Sequence, residues 1–562
     1  MVRKLLKILN WEIGGLHEAA FLLAISSLAS QVLALLRDRL LAGTFGAGKE
    51  LDIYYAAFRI PDFLFISIGS FMAITVLIPI LVGKIENGNG EGIPEAKKFL
   101  SDILTVFSFV MAIAAAVAFY FIPELSKLIA PGFDVESSAQ LVTLSRIILL
   151  SPFLLGISNL LGSITQSFKK FFVYALSPIL YNFGIILGVV VFYPMFGLRG
   201  LAYGVVAGAL MHLAVQIPTI FELGMLPRFT LSINFRDLWR VISLSLPRAL
   251  ALGANQLALM FLVATASLMK AGSIAVFNLA YNLQSVPMAI IGVSYSVAAL
   301  PEMSRIYSCN DTKKFVNYVE TAFKHILFWS IQASALFVVL RAQIVRTILG
   351  SGQFDWGDTK LTAAVLAIFT ISIIAQNLIQ LLDRVYYAAG NNMKPVATKI
   401  ISAILTVVSA YGVIYLFQNN QAFHNSFEYF FRVGGVEGTE ILMLPLAFSI
   451  GAFLNLFLLF AMFLKDFSCF SKDFLRTLLQ SIISAFVMGV TAYYSLIITA
   501  PYWGSDTLIK VFSHGFVAGI LGIIAGVITL KLLKNSEIAE IEKAIKKSFW
   551  KTETIIPGPN EV

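Results

Sequence analysis

Arg37 and Arg59, each with carboxylates close by in sequence, are the residues best placed to do chemistry, because both stand in long apolar stretches. A charged side chain at a bilayer centre costs on the order of 2.5–3.5 kcal/mol on insertion scales, so such groups should face a cavity or a partner. Helical spacing puts Ser27, Ser30 and Arg37 on one face, with Asp38 alongside. A second stripe carries Asp52, Tyr55, Arg59, Asp62 and Ser70. Arg248, Asn255 and Gln256 share a later stretch, and Asn278, Asn282 and Ser285 the next. Guanidinium groups with intervening carboxylates suit an anion-accepting vestibule, since the planar fork of Arg donates paired hydrogen bonds to phosphate oxygens. The competing reading has Arg37, Asp38, Asp52 and Arg59 snorkel to the interface and pair with one another. Arg146 lies near a stretch end, where snorkelling is favoured, and Asp383 beside Arg384 reads as a local structural pair.

The elements that must position these groups are membrane helices. Hydrophobic residues make up 58% of 562 positions and charged residues 13%, against roughly 25% charged in soluble domains. Apolar runs of about 20 residues or more, each able to cross ~30 Å of hydrocarbon as a helix, recur from Phe21 to Leu533. Continuous runs of this kind exclude a barrel of alternating strands. The pattern predicts an all-α polytopic membrane protein of about fourteen spans, at 21–44, 52–83, 98–122, 139–167, 174–195, 199–221, 240–268, 273–304, 316–341, 360–389, 396–417, 441–464, 474–498 and 508–533.

Placing both ends inside collects roughly 26 Lys and Arg in cytoplasmic segments against roughly 9 outside, which favours an N-in, C-in topology. The net charge of +9 is thereby a matter of loop asymmetry and not a sign of nucleic-acid binding. Residues 1–20 read as a cytoplasmic amphipathic lead-in with Arg3, Lys4 and Lys7 and no small-residue cleavage site. Residues 222–239 read as a cytoplasmic linker, 418–440 as an extracytoplasmic loop without evident chemistry, and 534–562 as an amphipathic inner-leaflet tail. Internal similarity pairs Ala57-Phe58-Arg59-Ile60 and Pro79 with Ala280-Tyr281-Asn282-Leu283 and Pro301. Two parallel six-helix lobes around a central cavity follow, at 21–221 and from 240 through 417 to the span at 441–464, with two appended helices at 474–533.

Enzymatic chemistry finds no support: the chain has no GxxxxGK[ST] loop, no HExxH and no CxxC. His17, His212, His325, His424 and His514 are scattered, and Cys309 and Cys469 fall in separate connections, so neither a metal site nor a disulfide framework is expected. No cofactor is expected. Transport would then draw on the membrane potential or an ion or substrate gradient.

Several stretches resemble the MurJ lipid II flippases of the multidrug/oligosaccharidyl-lipid/polysaccharide exporter superfamily. They are Ser30-Gln31-Val32-Leu33 through Arg37-Asp38, Phe45-Gly46-Ala47-Gly48, Asp52, Ala57-Phe58-Arg59-Ile60-Pro61, and Ala130-Pro131-Gly132-Phe133. Arg146 with Ser151-Pro152, Ser177-Pro178 with Asn182, and Arg384-Val385-Tyr386-Tyr387-Ala388 with Lys394-Pro395-Val396 continue the series in order. The resemblance implies fourteen spans, two lobes about a cavity, and export of an undecaprenyl-diphosphate-linked peptidoglycan precursor across a bacterial inner membrane. Cell-wall synthesis proteins and membrane lipids are its implied partners. By motif position the family carries Arg at Gln31, Arg at Phe65, Glu at Ser70 and Asp-Arg at Tyr281-Asn282, so the resemblance implies a less cationic cavity here. Two other readings stand beside this one. The first is export of another lipid-linked saccharide or a small molecule; the second is a non-transporting scaffold for envelope synthesis.

Overall fold

The computed structural model describes residues 16–72, 74–87, 92–467, 470, 472–503, 507–535 and 537–538. Among them every regular element is a helix. Thirteen helices, from Lys49–Glu86 to Leu508–Leu532, are long and apolar enough to cross a bilayer. The preceding helix Leu16–Phe45, of 30 residues, covers the first expected span. The protein is therefore an all-α multi-pass membrane protein, as its apolar runs predict. Most of the lead-in at 1–20 and the tail at 534–562, together with Cys469, lies outside the described residues. Cys309 is exposed.

Many helices overrun the apolar runs that announce them. Gly92–Ile129 has 38 residues, about 57 Å of helix against ~30 Å of hydrocarbon. The bilayer fixes the apolar middle of a span and leaves its ends free to continue. The second span is broken instead, into Lys49–Ala57, Arg59–Gly69 and Ile74–Asn87. Pro61 explains the first break: it has no N–H to give the Ala57 carbonyl one turn back. That carbonyl accepts from Ser145 Oγ at 3.3 Å. Two π-helical turns, Gly188–Phe192 just before Pro194 and Ala289–Val293 just after Pro287, relieve the same kind of missing bond.

The connection 418–440, expected as an extracytoplasmic loop, contains the helix Gln421–Phe431. Asn420 caps it by accepting the Phe423 N–H at 3.0 Å. The His424 ring stacks on Phe417 with centroids 4.2 Å apart. Thr439 Oγ1 donates to Glu428 at 2.6 Å, closing the connection from its far end. An Asn cap ahead of Phe423, Phe427 and Phe431 at i,i+4 is a helix signal that an apolarity window passes over.

The chain divides into two units. The first comprises Met1–Val286, Ile348–Phe369 and Asn391–Asn455; the second, Pro287–Thr347, Thr370–Gly390 and Leu456–Val562. In the first, Phe99, Leu100, Phe107, Leu160, Leu161 and Ile164 form a buried core. In the second, the core is aromatic, with Phe315, Phe323, Tyr386 and Phe463 buried together. The Tyr386 hydroxyl donates to Asp466 at 2.9 Å beside this core.

Within the first unit, Gly184 and Gly188 face Gly204 and Gly208, an i,i+4 glycine pair on each of two neighbouring helices. A methyl added at Gly204 would stand 2.3 Å from the Gly188 Cα, and one at Gly184 would stand 2.2 Å from the Gly208 Cα. The two backbones touch because neither helix has a side chain there, which is how helices gain packing in lipid. Gly204→Leu is therefore expected to lower stability by about 1–3 kcal/mol or more through overpacking, read as a fall in melting temperature of the purified protein. An unchanged melting temperature would show that the helices are not this close.

Candidate anion-binding site

Two guanidinium groups and their partners gather on the helices Leu16–Phe45, Arg59–Gly69, Phe171–Leu187 and Ser273–Met288, the last of which belongs to the first unit as far as Val286. Arg37 is the centre of a relay. Its Nε donates to Asp38 Oδ1 at 2.9 Å and its Nη2 lies 2.8 Å from the same oxygen. Its Nη1 donates to Asn182 Oδ1 at 3.1 Å. Asn182 Nδ2 in turn donates to Ser30 Oγ at 3.2 Å. At the other end, Asn282 Nδ2 donates to Asp38 Oδ2 at 3.0 Å. Asp38 is buried, whereas the Arg37 side chain keeps 20% of its surface exposed.

Arg59 is bound differently. It is 8% exposed, and its Nη2 donates to Asn278 Oδ1. Asn278 and Asn282 stand four residues apart on one helix face, so that one face holds Arg59 with its first amide and Asp38 with its second. Among the described residues no carboxylate lies within ion-pair distance of Arg59, and its buried Nε makes no hydrogen bond. The nearby Tyr55 hydroxyl is likewise buried without a partner among them. Asp62, one turn along the Arg59 helix, is the carboxylate whose charge acts on Arg59, and it is half-buried. Arg59, Asp38 and Asp52 are thus buried within protein, and Arg37 pairs with Asp38, as the snorkelling alternative also expects.

The structure does not bring every expected residue to this place. Asp52 is buried, and its carboxylate accepts the Gly272 N–H at 2.6 Å and the Ala275 N–H at 2.7 Å. It caps the start of the helix Ser273–Met288 from another part of the chain, so its lone pairs are committed to backbone. Ser70 closes a short 3-10 turn by donating to Ser67 O at 3.2 Å. Arg248 and Asn255 are exposed on the helix Phe235–Ser267, apart from the relay. Arg146 donates to Phe119 O at 3.3 Å and lies over the Phe119 ring. Arg384 donates to Val293 O at 3.1 Å and to Ser296 Oγ, clamping the second π-helical turn. Asn278 was singled out beside Asn282, and Asn182 only as part of a stretch resembling the family, without a place in the site. Their signal is an uncompensated amide in an apolar span, the same signal that singled out Asn282.

Beside Asp52, main-chain contacts tie the helix ends together. Ala47 N–H donates to Asp358 Oδ2 at 3.0 Å, and Gln353 N–H to Gly43 O at 2.8 Å. Gly272 has φ +93°, and a methyl on it would stand 1.8 Å from Ala47 O, so only glycine fits. Two exposed ion pairs flank these contacts, Lys49 with Asp134 at 2.8 Å and Lys270 with Glu437 at 2.9 Å. The lysine hydrogen bonds hold both the Asp134 and Glu437 carboxyls below the ordinary carboxylate range.

Among the described residues no group of acidic, His or Cys side chains could hold a metal ion. The second unit contributes an apolar groove of about 840 Å³ lined by Pro287, Ile290, Phe328, Trp329, Leu336 and Ile523. Gln332 and Lys531 are the polar members of an otherwise mainly apolar lining.

This helical architecture is shared with solved structures of membrane proteins. The solved structure of an inward-facing multidrug resistance MATE family transporter of the MOP superfamily aligns with a TM-score of 0.61 at 16% identity, over 78% of this chain and 96% of that one. The structure described as "Lipid II flippase MurJ, inward closed conformation" aligns with a TM-score of 0.70 at 22% identity, over 92% of this chain and all 100% of that one. The sequence profile of the family described as "Lipid II flippase MurJ" matches residues 41–513, and the chain belongs to that family. A relative from Buchnera aphidicola subsp. Acyrthosiphon pisum, "Probable lipid II flippase MurJ", is 27% identical over 70% of this chain and 78% of its own length. The "Lipid II flippase MurJ" of Burkholderia cenocepacia is 25% identical over 68% of this chain and 76% of its own.

Proposed function

We propose that the protein moves lipid II, an undecaprenyl-diphosphate-linked saccharide, from the inner to the outer leaflet of a bacterial inner membrane. Family membership supports the substrate, and the observation carrying the site is the buried Arg59 guanidinium, which no carboxylate among the described residues neutralises by direct pairing. Arg37 and Arg59 would bind the diphosphate, with Arg248 as a third contact reached in the course of the cycle. Two lobes would alternate access to the site, with both chain termini cytoplasmic, while the polyprenyl tail stays in hydrocarbon. The apolar groove at Trp329 suits such a chain.

The membrane potential would give the movement its direction without a bound cofactor. One charge crossing 100 mV is worth about 2.3 kcal/mol, so a diphosphate of about two negative charges leaving a negative interior gains roughly 4–5 kcal/mol. In proteoliposomes holding fluorescent lipid II, an outward-driving potential set with potassium and valinomycin should raise the flipped fraction several-fold, and reversed polarity should suppress it. Transport indifferent to polarity would reject voltage coupling. No transport at either polarity would reject the flippase reading and favour a scaffold.

A further inference from the structure

Where the helix Val135–Ile148 packs beside the helix Leu198–Ala214, the first unit holds a pocket of about 330 Å³ that shares no residue with the arginine relay. Its two walls differ in hydrogen-bonding character. On the first helix Glu136, Gln140 and Thr143 stand at i, i+4 and i+7, one stripe along the pocket. Gln140 Nε2 donates to Glu136 Oε1 at 3.4 Å, and Thr143 Oγ1 donates to Ala139 O at 2.9 Å. Those bonds use the hydroxyl proton and one amide proton, so the stripe offers a ligand mainly oxygen acceptors around one carboxylate. Lys49, a cation on which the Glu136 charge acts, is itself paired with Asp134 at 2.8 Å.

The other wall is a donor. Arg199 lines it from the first turn of the helix Leu198–Ala214, and among the described residues it makes no hydrogen bond or ion pair, with Glu136 or any other group. Its guanidinium therefore has five N–H donors to offer. Gly197 precedes that helix and has no side chain to cap the first amides, so the positive end of the helix dipole adds to the guanidinium charge. A carboxylate and a guanidinium thus line one small pocket without closing on each other. Arg199 also marks a level in the membrane, because it parts two runs, Phe171–Leu198 and Gly200–Phe221, that hold no Asp, Glu, Lys or Arg. Leu144, Phe196 and Leu198 complete the lining, and Met195 and Phe196 are exposed on the turn beside it. The pocket is polar across its walls and apolar on its flank, at the depth of lipid headgroups.

We propose that this pocket binds the headgroup of a zwitterionic phospholipid with a primary ammonium, phosphatidylethanolamine in type. The ammonium, three donors and no acceptor, lies on the Glu136 stripe; the phosphate, acceptors only, lies on Arg199; an acyl chain runs past Phe196. Opposed charges that leave each other unpaired carry the assignment, whatever the protein transports. Native mass spectrometry of the full detergent-purified chain tests it, with phosphatidylethanolamine, phosphatidylcholine and phosphatidylglycerol of equal acyl length as probes. Phosphatidylethanolamine should be retained roughly fivefold better than either of the others, the upper worth of one exposed charged contact. Phosphatidylcholine has no N–H to give Glu136, and phosphatidylglycerol has no cation. Glu136→Gln should bring phosphatidylethanolamine down to the level of phosphatidylcholine, and Arg199→Gln should lower retention of all three roughly fivefold. Both side chains are exposed, so both variants should keep the wild-type melting temperature. Equal retention of the three lipids by the wild-type protein would overturn the proposal, as would an undiminished preference in Glu136→Gln or undiminished retention in Arg199→Gln. Competition by equimolar soluble glycerophosphoethanolamine would also overturn it, since the pocket would then take a free zwitterion and not a lipid.

Discussion

Cells depleted of their own flippase should not be rescued by a chain carrying Arg37→Ala together with Arg59→Ala, although the wild-type chain should restore growth. The expectation rests on how the two side chains are held. Arg37 is fixed by Asp38 and Asn182, and Arg59 by Asn278, so both forks are oriented before any ligand arrives. Losing two charge-assisted contacts to a diphosphate removes about 3–6 kcal/mol of binding, at ~1.5–3 kcal/mol for each. Removing Arg37 also leaves Asp38 buried with Asn282 as its one side-chain partner among the described residues, so part of the effect is structural. Two further variants separate the contributions. Arg59→Lys keeps the charge but loses the fork and should rescue weakly, whereas Asn182→Ala spares both cations and should rescue better than either alanine variant. Rescue by the double variant at normal membrane abundance would reject the site.

Asp52→Ala should be the most destabilising single change away from the arginines. It strands the amides of Gly272 and Ala275 where water does not reach, at about 1–3 kcal/mol for each unsatisfied group. Asp52→Asn keeps one accepting oxygen and should fall between. Amide hydrogen exchange reads the effect directly: the peptide spanning Gly272 and Ala275 should exchange faster in the variants, while peptides covering the core around Phe99 and Leu160 should not change. Equal exchange in all three proteins would show that the cap is not holding the helix start. Because the cap is backbone-directed, the variants should also lose melting temperature with no lipid present, which a purely ligand-binding aspartate would not do.

Much of this was legible in the chain. Apolar run length alone announces the spans, because hydrocarbon leaves the backbone few ways to satisfy its own hydrogen bonds. The pairing of Arg37 with Asp38 follows from the rule that charge inside a span needs company. Other features were not legible. Asp52 looks like a cavity carboxylate until the fold brings Gly272 to it from 220 residues away. Arg248 and Asn255 satisfy the same compositional rule as Arg37 but emerge on an exposed helix face, and nothing in their spacing reveals which neighbour will cover them. Asn182 shows the reverse case, a single amide whose importance depends on meeting Ser30 and Arg37 across 145 to 152 positions of sequence.

The glycine seam at Gly184, Gly188, Gly204 and Gly208 bears on how such a molecule can change shape. Two rods in main-chain contact have no side chains to exchange for others, so sliding one past the other would demand a jump of a whole turn with every contact broken at once. The pair must travel together as a single strut. Whatever bending a transport cycle needs is then left to the rest of the softened π-helical turn Gly188–Phe192, which starts at the seam's own Gly188 and runs on from it.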